Sequence, residues 1–188
     1  MKSAWIVIGI IVVLAIAAMG QFVSVRNNLV GQREGINAQW SNVDVVLQRR
    51  ADLIPNLVNT VKGFATHETE VFKAIADARA ALISGRTPQE KIQANDQLNT
   101  ALSRLLLIAE NYPQLRSNEN FLRLQDELAG TENRIAVERR KYNELLEHYN
   151  AQIQRFPDNI VASLSGFTRN DAYFSTAPGA REAPKVQF

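Results

Sequence analysis

The sequence has no cysteine and only two histidines among its 188 residues. The absence of cysteine excludes disulfides and thiolate metal sites. A zinc-protease motif needs a second histidine four residues after the first, but the residue at that distance from His67 is Val71. A di-iron bundle needs Glu-x-x-His pairs, and the glutamates before His148 stand at other spacings. The sequence therefore predicts no metal site and no cofactor.

An excess of charge of one sign is also lacking. The chain has 21 Lys and Arg against 19 Asp and Glu, a net charge of +2, and the two signs are interleaved along it. A nucleic-acid-binding surface needs basic residues clustered on one face, so we predict no nucleic-acid partner. The chain also lacks a nucleophile elbow, a phosphate-binding loop and a dinucleotide fingerprint. These absences predict a protein that is not an enzyme.

The chain does contain a long apolar run at its start. No charged residue lies between Lys2 and Arg26, and residues 4–23 supply the about 20 helical residues that cross a bilayer. The alternative is a cleaved signal peptide, with Ala15-Ile16-Ala17 as its cleavage site. Because the apolar character continues past that site, we predict an uncleaved transmembrane anchor over residues 1–25. The location expected for it is the bacterial inner (cytoplasmic) membrane, and the lysine before the run favours a domain outside the cytoplasm.

Four helices are predicted after the anchor span, because glycine and proline are sparse and no strand alternation appears. The first continues out of the anchor, and its apolar residues keep helical spacing through Pro55. Pro55 has no N–H for the carbonyl of Ala51, so either a continuous helix kinks here or a new helix begins, capped by Asp52. The chain has no glycine or polar linker here in which to reverse, which favours a kink at Pro55. The predicted inward face is Val25, Leu29, Ile36, Trp40, Val43, Leu47, Ile54, Leu57, Val61 and Phe64.

Turn residues predict where the next helices begin and end. Gly63 is expected to adopt the left-handed conformation after the first helix, and Thr66 to cap the second. Gly85 predicts the end of the second helix. The residues TPQE, beginning at Thr87, form a capping box with proline at the first helical position. They predict the start of a third helix that ends before Pro113.

The fourth predicted helix has a seven-residue period. One position of the repeat is held by Phe121, Leu128, Ile135, Tyr142, Tyr149 and Phe156. Polar residues at the companion position favour the corner of a bundle over a two-stranded coiled coil. Pro157 is expected to end this helix. The predicted fold is all-α: an N-terminal transmembrane helix, then an antiparallel up-and-down four-helix bundle over residues 26–157 with long first and last helices, and a tail over 158–188 that is partly docked and then extended.

A group of polar residues on the first and last helices is the candidate site. Tyrosines on the inward stripe need partners for their hydroxyls when they are buried. We therefore predict a structural polar layer in which Arg50 and Asp52 meet two Tyr-Asn repeats and set the helix register. The alternative is that the charges face water. The residues of this candidate layer are Arg50, Asp52, Asn56, Tyr142, Asn143, Tyr149 and Asn150.

Two long blocks of the sequence resemble the LemA family. They are "WSNVDVVLQRRADLIPNLVNTVKGFATHE" (residues 40–68) and "AENYPQLRSNENFLRLQDELAGTENRIAVERRKYNELLEHYNAQIQRFP" (residues 109–157), and the "PKVQF" ending agrees. The resemblance covers nearly the whole chain. It implies a bacterial single-pass membrane protein with an N-terminal anchor, an antiparallel helical bundle, and no settled catalytic activity.

The function expected from these features is structural. We predict a self-assembling scaffold in envelope and membrane organisation, held in the bilayer through residues 4–23 and forming a homo-oligomer. An adaptor or regulator of a membrane enzyme, such as a membrane protease, is the alternative. A hydrolase without a recognisable motif is a third reading, and only a saturable activity would support it.

Overall fold

The computed structural model describes residues 2–65 and 67–175, with side chains from Ala4 onward. Over these residues the protein is all-helical and has no strand. The helices are α1 (Lys2–Lys62), α2 (Thr69–Ser84), α3 (Pro88–Ala109), α4 (Pro113–Arg116), α5 (Glu119–Gln152) and α6 (Asp158–Leu164). Thr66, the predicted cap of the second helix, and the "PKVQF" ending lie outside the described residues.

Helix α1 is a single helix of 61 residues that contains Pro55. Its N-terminal part is long and apolar enough to cross a membrane, and none of the most apolar window is buried within the protein. From Val25 onward the helix buries one stripe of side chains, among them Leu29, Val43 and Leu57. The chain therefore changes at about Val25 from a helix that is apolar on all sides to one with a single buried face. Whether the helix bends at Pro55 stays a prediction.

The helices divide into two compact units. The first contains α1 up to Ala38 together with Glu144–Asp171, which includes α6. The second contains Gln39–Asn143 and, among the described residues, 172–175. The first unit buries Val25, Leu29, Ile36, Leu146, Tyr149, Val161 and Ala162. The largest fully buried side chains of the second are Tyr142, Phe121, Leu47, Ile54, Leu57, Ile75, Leu98, Leu105, Leu115 and Ile135.

The link between α2 and α3, which pack against each other, follows the predicted signals. Gly85 directly follows α2, and its N–H donates to the carbonyl of Ala81 at 3.0 Å. A Cβ at Gly85 would lie 2.9 Å from Cγ of Lys91, so the close approach of α3 favours glycine here. Thr87 accepts a hydrogen bond from the N–H of Glu90, whose side chain accepts one from the N–H of Thr87. The predicted capping box is confirmed.

Two predicted helix ends are wrong. Gly63 does not adopt a left-handed conformation, because Gly166 is the one glycine with positive φ in the part of the chain that the structure describes. Helix α5 ends at Gln152 rather than just before Pro157. After Gln152 the chain forms turns closed by hydrogen bonds to the residue three positions earlier. In one of them the N–H of Arg155 donates to the carbonyl of Gln152 at 3.1 Å. Phe156 consequently leaves the helical stripe and is 80% exposed.

Candidate functional site

Arg50 is the centre of a buried polar cluster in the second unit. It lies on the inward side of α1 and is only 6% exposed. Its Nη1 donates to Oε2 of Glu132 on α5 at 2.5 Å and to Oδ1 of Asn95 on α3 at 3.3 Å. Burial lowers the pKa of Arg50, and the neighbouring Glu132 carboxylate opposes that shift. The contacts therefore join three helices through one charged side chain.

The cluster leaves two buried donors without partners. Within the described residues, Nε of Arg50 and Nδ2 of Asn95 have no hydrogen-bond partner although both atoms are inaccessible. A buried donor without a partner costs about 1–3 kcal/mol, and such groups in native proteins call for an explanation. The cluster therefore contains more buried hydrogen-bond donors than the two acceptors, Glu132 and the side-chain oxygen of Asn95, that Arg50 meets.

A groove of about 530 Å³ lies beside Arg50. We call it the Leu106 groove. Its apolar lining is Leu57, Leu102, Leu106, Leu128 and Ala129, and its polar lining is Arg50, Asn99, Ser103, Gln125, Asp126 and Glu132. The hydroxyl of Ser103 donates to the backbone carbonyl of Asn99 at 2.9 Å, not to a general base. The groove is thus chemically suited to contact with an apolar surface.

Pro55 produces a second polar contact in the same unit. Because proline has no N–H, the carbonyl of Ala51, four residues earlier, lacks its helical donor. Nε of Arg79, on α2, donates to that carbonyl at 2.8 Å. Ala51 is fully buried, so its carbonyl would otherwise be without a donor. The proline therefore presents a backbone acceptor to the neighbouring helix while α1 continues.

The other predicted site residues on α1 have local partners. Asp52 accepts a hydrogen bond from Nε2 of Gln48 at 2.9 Å, one turn earlier on the exposed face. Asn56 is exposed, and its backbone carbonyl accepts the hydroxyl of Thr60 at 2.9 Å. Neither side chain joins the cluster around Arg50 in the hydrogen bonds that the described residues form. Both lie on the solvent side of the helix, where the apolar stripe does not reach.

Tyr142 and Asn143 contact the C-terminal segment of the second unit. Tyr142 is fully buried against Trp40, with ring centroids 5.3 Å apart, and its edge meets Phe174 at 6.1 Å. Burial raises the pKa of Tyr142 to about 12; its hydroxyl has no partner among the described residues. The amide of Asn143 bonds both backbone groups of Phe174, donating to the carbonyl at 2.8 Å and accepting from the N–H at 3.0 Å.

Tyr149 and Asn150 make corresponding contacts in the first unit. The hydroxyl of Tyr149 donates to the carbonyl of Thr168 at 2.9 Å. Asn150 donates to the carbonyl of Asn170 at 2.7 Å and accepts its N–H at 2.9 Å. Burial raises the pKa of Tyr149. Each asparagine of the Tyr-Asn repeat therefore holds the backbone of one residue in the segment after α6.

These contacts correct the predicted polar layer. Arg50 bonds to Asn95 and Glu132, and Asp52 bonds to Gln48, whereas the asparagines of the Tyr-Asn repeats bond to the backbone of the C-terminal segment. The prediction failed because helical periodicity shows which face is buried but does not show what it meets. Asn95 was identifiable in principle, since it interrupts the apolar stripe of α3 between Ile92 and Leu98. Backbone acceptors such as that of Asn170 leave no signal in the sequence.

Comparison with known proteins decides the family. The sequence profile of the LemA family matches residues 39–188, which is most of the chain. The chain belongs to the LemA family. Both blocks from which the resemblance was inferred, residues 40–68 and 109–157, lie entirely within that match.

This LemA-family chain is similar to several named proteins. It is 28% identical to "Magnetosome protein MamQ 2" of Paramagnetospirillum magneticum over 196 aligned positions, which cover 90% of the chain and 72% of that protein. It is 27% identical to "Magnetosome protein MamQ" of Magnetospirillum gryphiswaldense, covering 81% of the chain and 65% of the relative. It is 22% identical to "Protein LemA" of Metamycoplasma hominis, covering 75% and 65%.

Proposed function

We propose that this LemA-family chain is a non-enzymatic, membrane-anchored scaffold that assembles with itself and organises the bacterial envelope. Its apolar N-terminal helix sits in the inner membrane through residues 4–23, and the helical domain over residues 26–157 stands outside the cytoplasm. An antiparallel four-helix arrangement is part of the proposal. Two contacts in the second unit support it. Trp40 on α1 contacts Tyr142 on α5, and Arg50, further along α1, contacts Glu132, which is earlier on α5, as expected for antiparallel helices.

The observation that carries the self-assembly proposal is an exposed leucine patch at the Leu106 groove. Leu106 is 41% exposed and lines the groove, and Leu122 on α5 is 45% exposed. Leu106 and Leu122 also line a neighbouring depression together. Contiguous apolar patches beside a groove are typical of protein-contact surfaces, whereas isolated exposed leucines are ordinary. A surface of this kind is suited to a second copy of the chain.

The relatives support the same class of function. Three of the similar proteins are named as magnetosome proteins, and a component of an organised cellular body is consistent with a scaffold. These relatives are named as magnetosome proteins or as LemA, and their names describe no catalytic activity. We extend to this chain only the general role of organising a membrane-associated structure.

The test is the mass of the full-length chain in mild detergent, measured by light scattering at several concentrations. We expect a species larger than the monomer, and we expect Leu106→Glu with Leu122→Glu to shift it toward the monomer. Val45→Glu is the matched control, because Val45 is 69% exposed but lines neither the groove nor the neighbouring depression. A wild-type chain that is monomeric at every concentration would contradict the proposal. A membrane enzyme that co-purifies in fixed ratio would instead favour the adaptor.

A further inference from the structure

The stretch of the first unit that follows α5 and includes α6 exposes a second apolar surface. Phe156 is 80% exposed, Ile160 is 50% exposed and Leu164 is 74% exposed. Ile160 and Leu164 are one turn apart on α6, and Phe156 lies in the turn that precedes this helix. The opposite side of α6 is buried through Val161 and Ala162. We call these three exposed side chains the apolar tip.

A hydrogen bond and a cation–π contact place both ends of the loop between α5 and the segment after α6 at the same level of α1. Gln32 donates to the side-chain carbonyl of Gln152, the last residue of α5. On the return path, the guanidinium of Arg33 lies 5.4 Å from the centre of the Phe167 ring. Gly166, with φ of 73°, turns the chain there after α6. The apolar tip thus belongs to a loop whose two ends both contact α1, near residues 32 and 33.

The burial of α1 shows in which direction that loop extends. Val25 is 6% exposed and Leu29 is fully buried, and a single helix cannot bury its own side chains. Within the first unit the only other segment is Glu144–Asp171. Since α5 stops at Gln152, level with Gln32, the residues that cover Val25 and Leu29 come from the loop beyond it. The loop therefore extends along α1 toward the N-terminal apolar span.

The covered stretch of α1 lies next to the expected membrane boundary. Val23, at the end of the apolar span, is 47% exposed, and Leu29 follows it by six residues, or about 9 Å of helix. The headgroup layer on each side of the hydrocarbon is about 5–8 Å thick. With the span in the hydrocarbon, Val25 lies within the headgroup layer and Leu29 lies at its outer edge, so the loop that covers these two residues meets that layer.

We propose that the apolar tip inserts into the headgroup layer of the same bilayer that holds the N-terminal span, giving the first unit a second membrane contact. Aromatic and aliphatic side chains at this depth bury apolar area in the headgroup–acyl boundary. Arg155, exposed directly before Phe156, and Arg26, exposed on α1, provide cations for lipid phosphates. The inference rests on the proposed membrane anchoring. It adds a depth in the bilayer and an orientation for the loop that carries the apolar tip.

The test uses depth-dependent fluorescence quenching of the full-length chain in vesicles of phosphatidylcholine and phosphatidylglycerol. Because the chain has no cysteine, single-cysteine variants carry one environment-sensitive label each. Ile160→Cys and Leu164→Cys report the tip, Val12→Cys reports the span, and Ala38→Cys is an exposed control in the same unit. We expect labels at 160 and 164 to be quenched more by a headgroup nitroxide than by one at the acyl-chain end. The label at 12 should show the reverse order, and the label at 38 should be quenched by neither.

The outcomes separate the tip from the anchor. Loss of quenching at position 12 would refute the membrane anchoring itself. Quenching at position 12, with positions 160 and 164 behaving like position 38, would overturn the tip proposal alone. Protection of positions 160 and 164 that depends on protein concentration and not on lipid would also overturn it, in favour of a second copy. A Phe156→Asp change is expected to lower quenching at 160 and leave that at 12 unchanged.

Discussion

Replacement of Arg79 tests whether that side chain takes the place of the hydrogen bond that Pro55 removes from α1. Arg79→Met keeps most of the aliphatic stem but deletes the donor to the Ala51 carbonyl, now 2.8 Å away. Ala51 is fully buried, so water has little access to the abandoned acceptor. An unsatisfied buried acceptor costs about 1–3 kcal/mol. We expect Arg79→Met to lower the free energy of unfolding by about that amount.

The decisive comparison is the same change in a Pro55→Ala background. Alanine at position 55 supplies an N–H to the carbonyl four residues earlier, so the arginine is no longer the sole donor. The cost of Arg79→Met should then fall, with a coupling of about 1 kcal/mol between the two sites. Urea unfolding of the full-length chain in detergent, followed by circular dichroism, gives the four free energies. Arg140→Met, at an exposed position on α5, is the control for the substitution itself. Equal costs of Arg79→Met in both backgrounds would refute the reasoning.

Four other predictions concern the remaining polar contacts. Glu132→Gln leaves the buried Arg50 charge without its counter-ion. Because the Glu132 side chain is 43% exposed, we expect the free energy of unfolding in urea to fall by only about 1–2 kcal/mol. The double variant with Arg50→Met should be more stable than Glu132→Gln alone. Thr87→Ala should lower stability by about 1 kcal/mol. Hydrogen bonds from backbone N–H groups lower the pKa of Glu90. Its contribution to folding stability is therefore present above its usual pKa and is lost as the pH falls through the lowered value. The free energy of unfolding should depend less on pH in the acid range for Glu90→Gln than for the wild type. Asn143→Ala should make the C-terminal segment more sensitive to limited proteolysis with unchanged helicity, and unchanged cleavage would contradict the contact.

The inward stripe of α1 and the start of α3 follow from sequence alone because they depend on local rules. Side chains three and four positions apart share one helix face, so Leu29, Val43 and Leu57 were predictable as buried residues. The capping box at Thr87 needs only residues within one turn of each other. The all-helical class and the apolar N-terminal span rest on the same kind of local information. The family was recognisable for a different reason, since its sequence blocks are long.

Tertiary packing decided what the buried polar groups bind. The sequence shows that Arg50 interrupts an apolar face, but Glu132 and Asn95 become its partners only when three helices meet. It shows a Tyr-Asn repeat, yet the partners of Asn143 and Asn150 are backbone groups, which every residue carries. The side chain of Gln152, the last residue of α5, likewise bonds to Gln32, which lies 120 residues away in the sequence. Local spacing thus determined which surfaces are buried, while the identity of each contact depended on distant segments that no short-range pattern encodes.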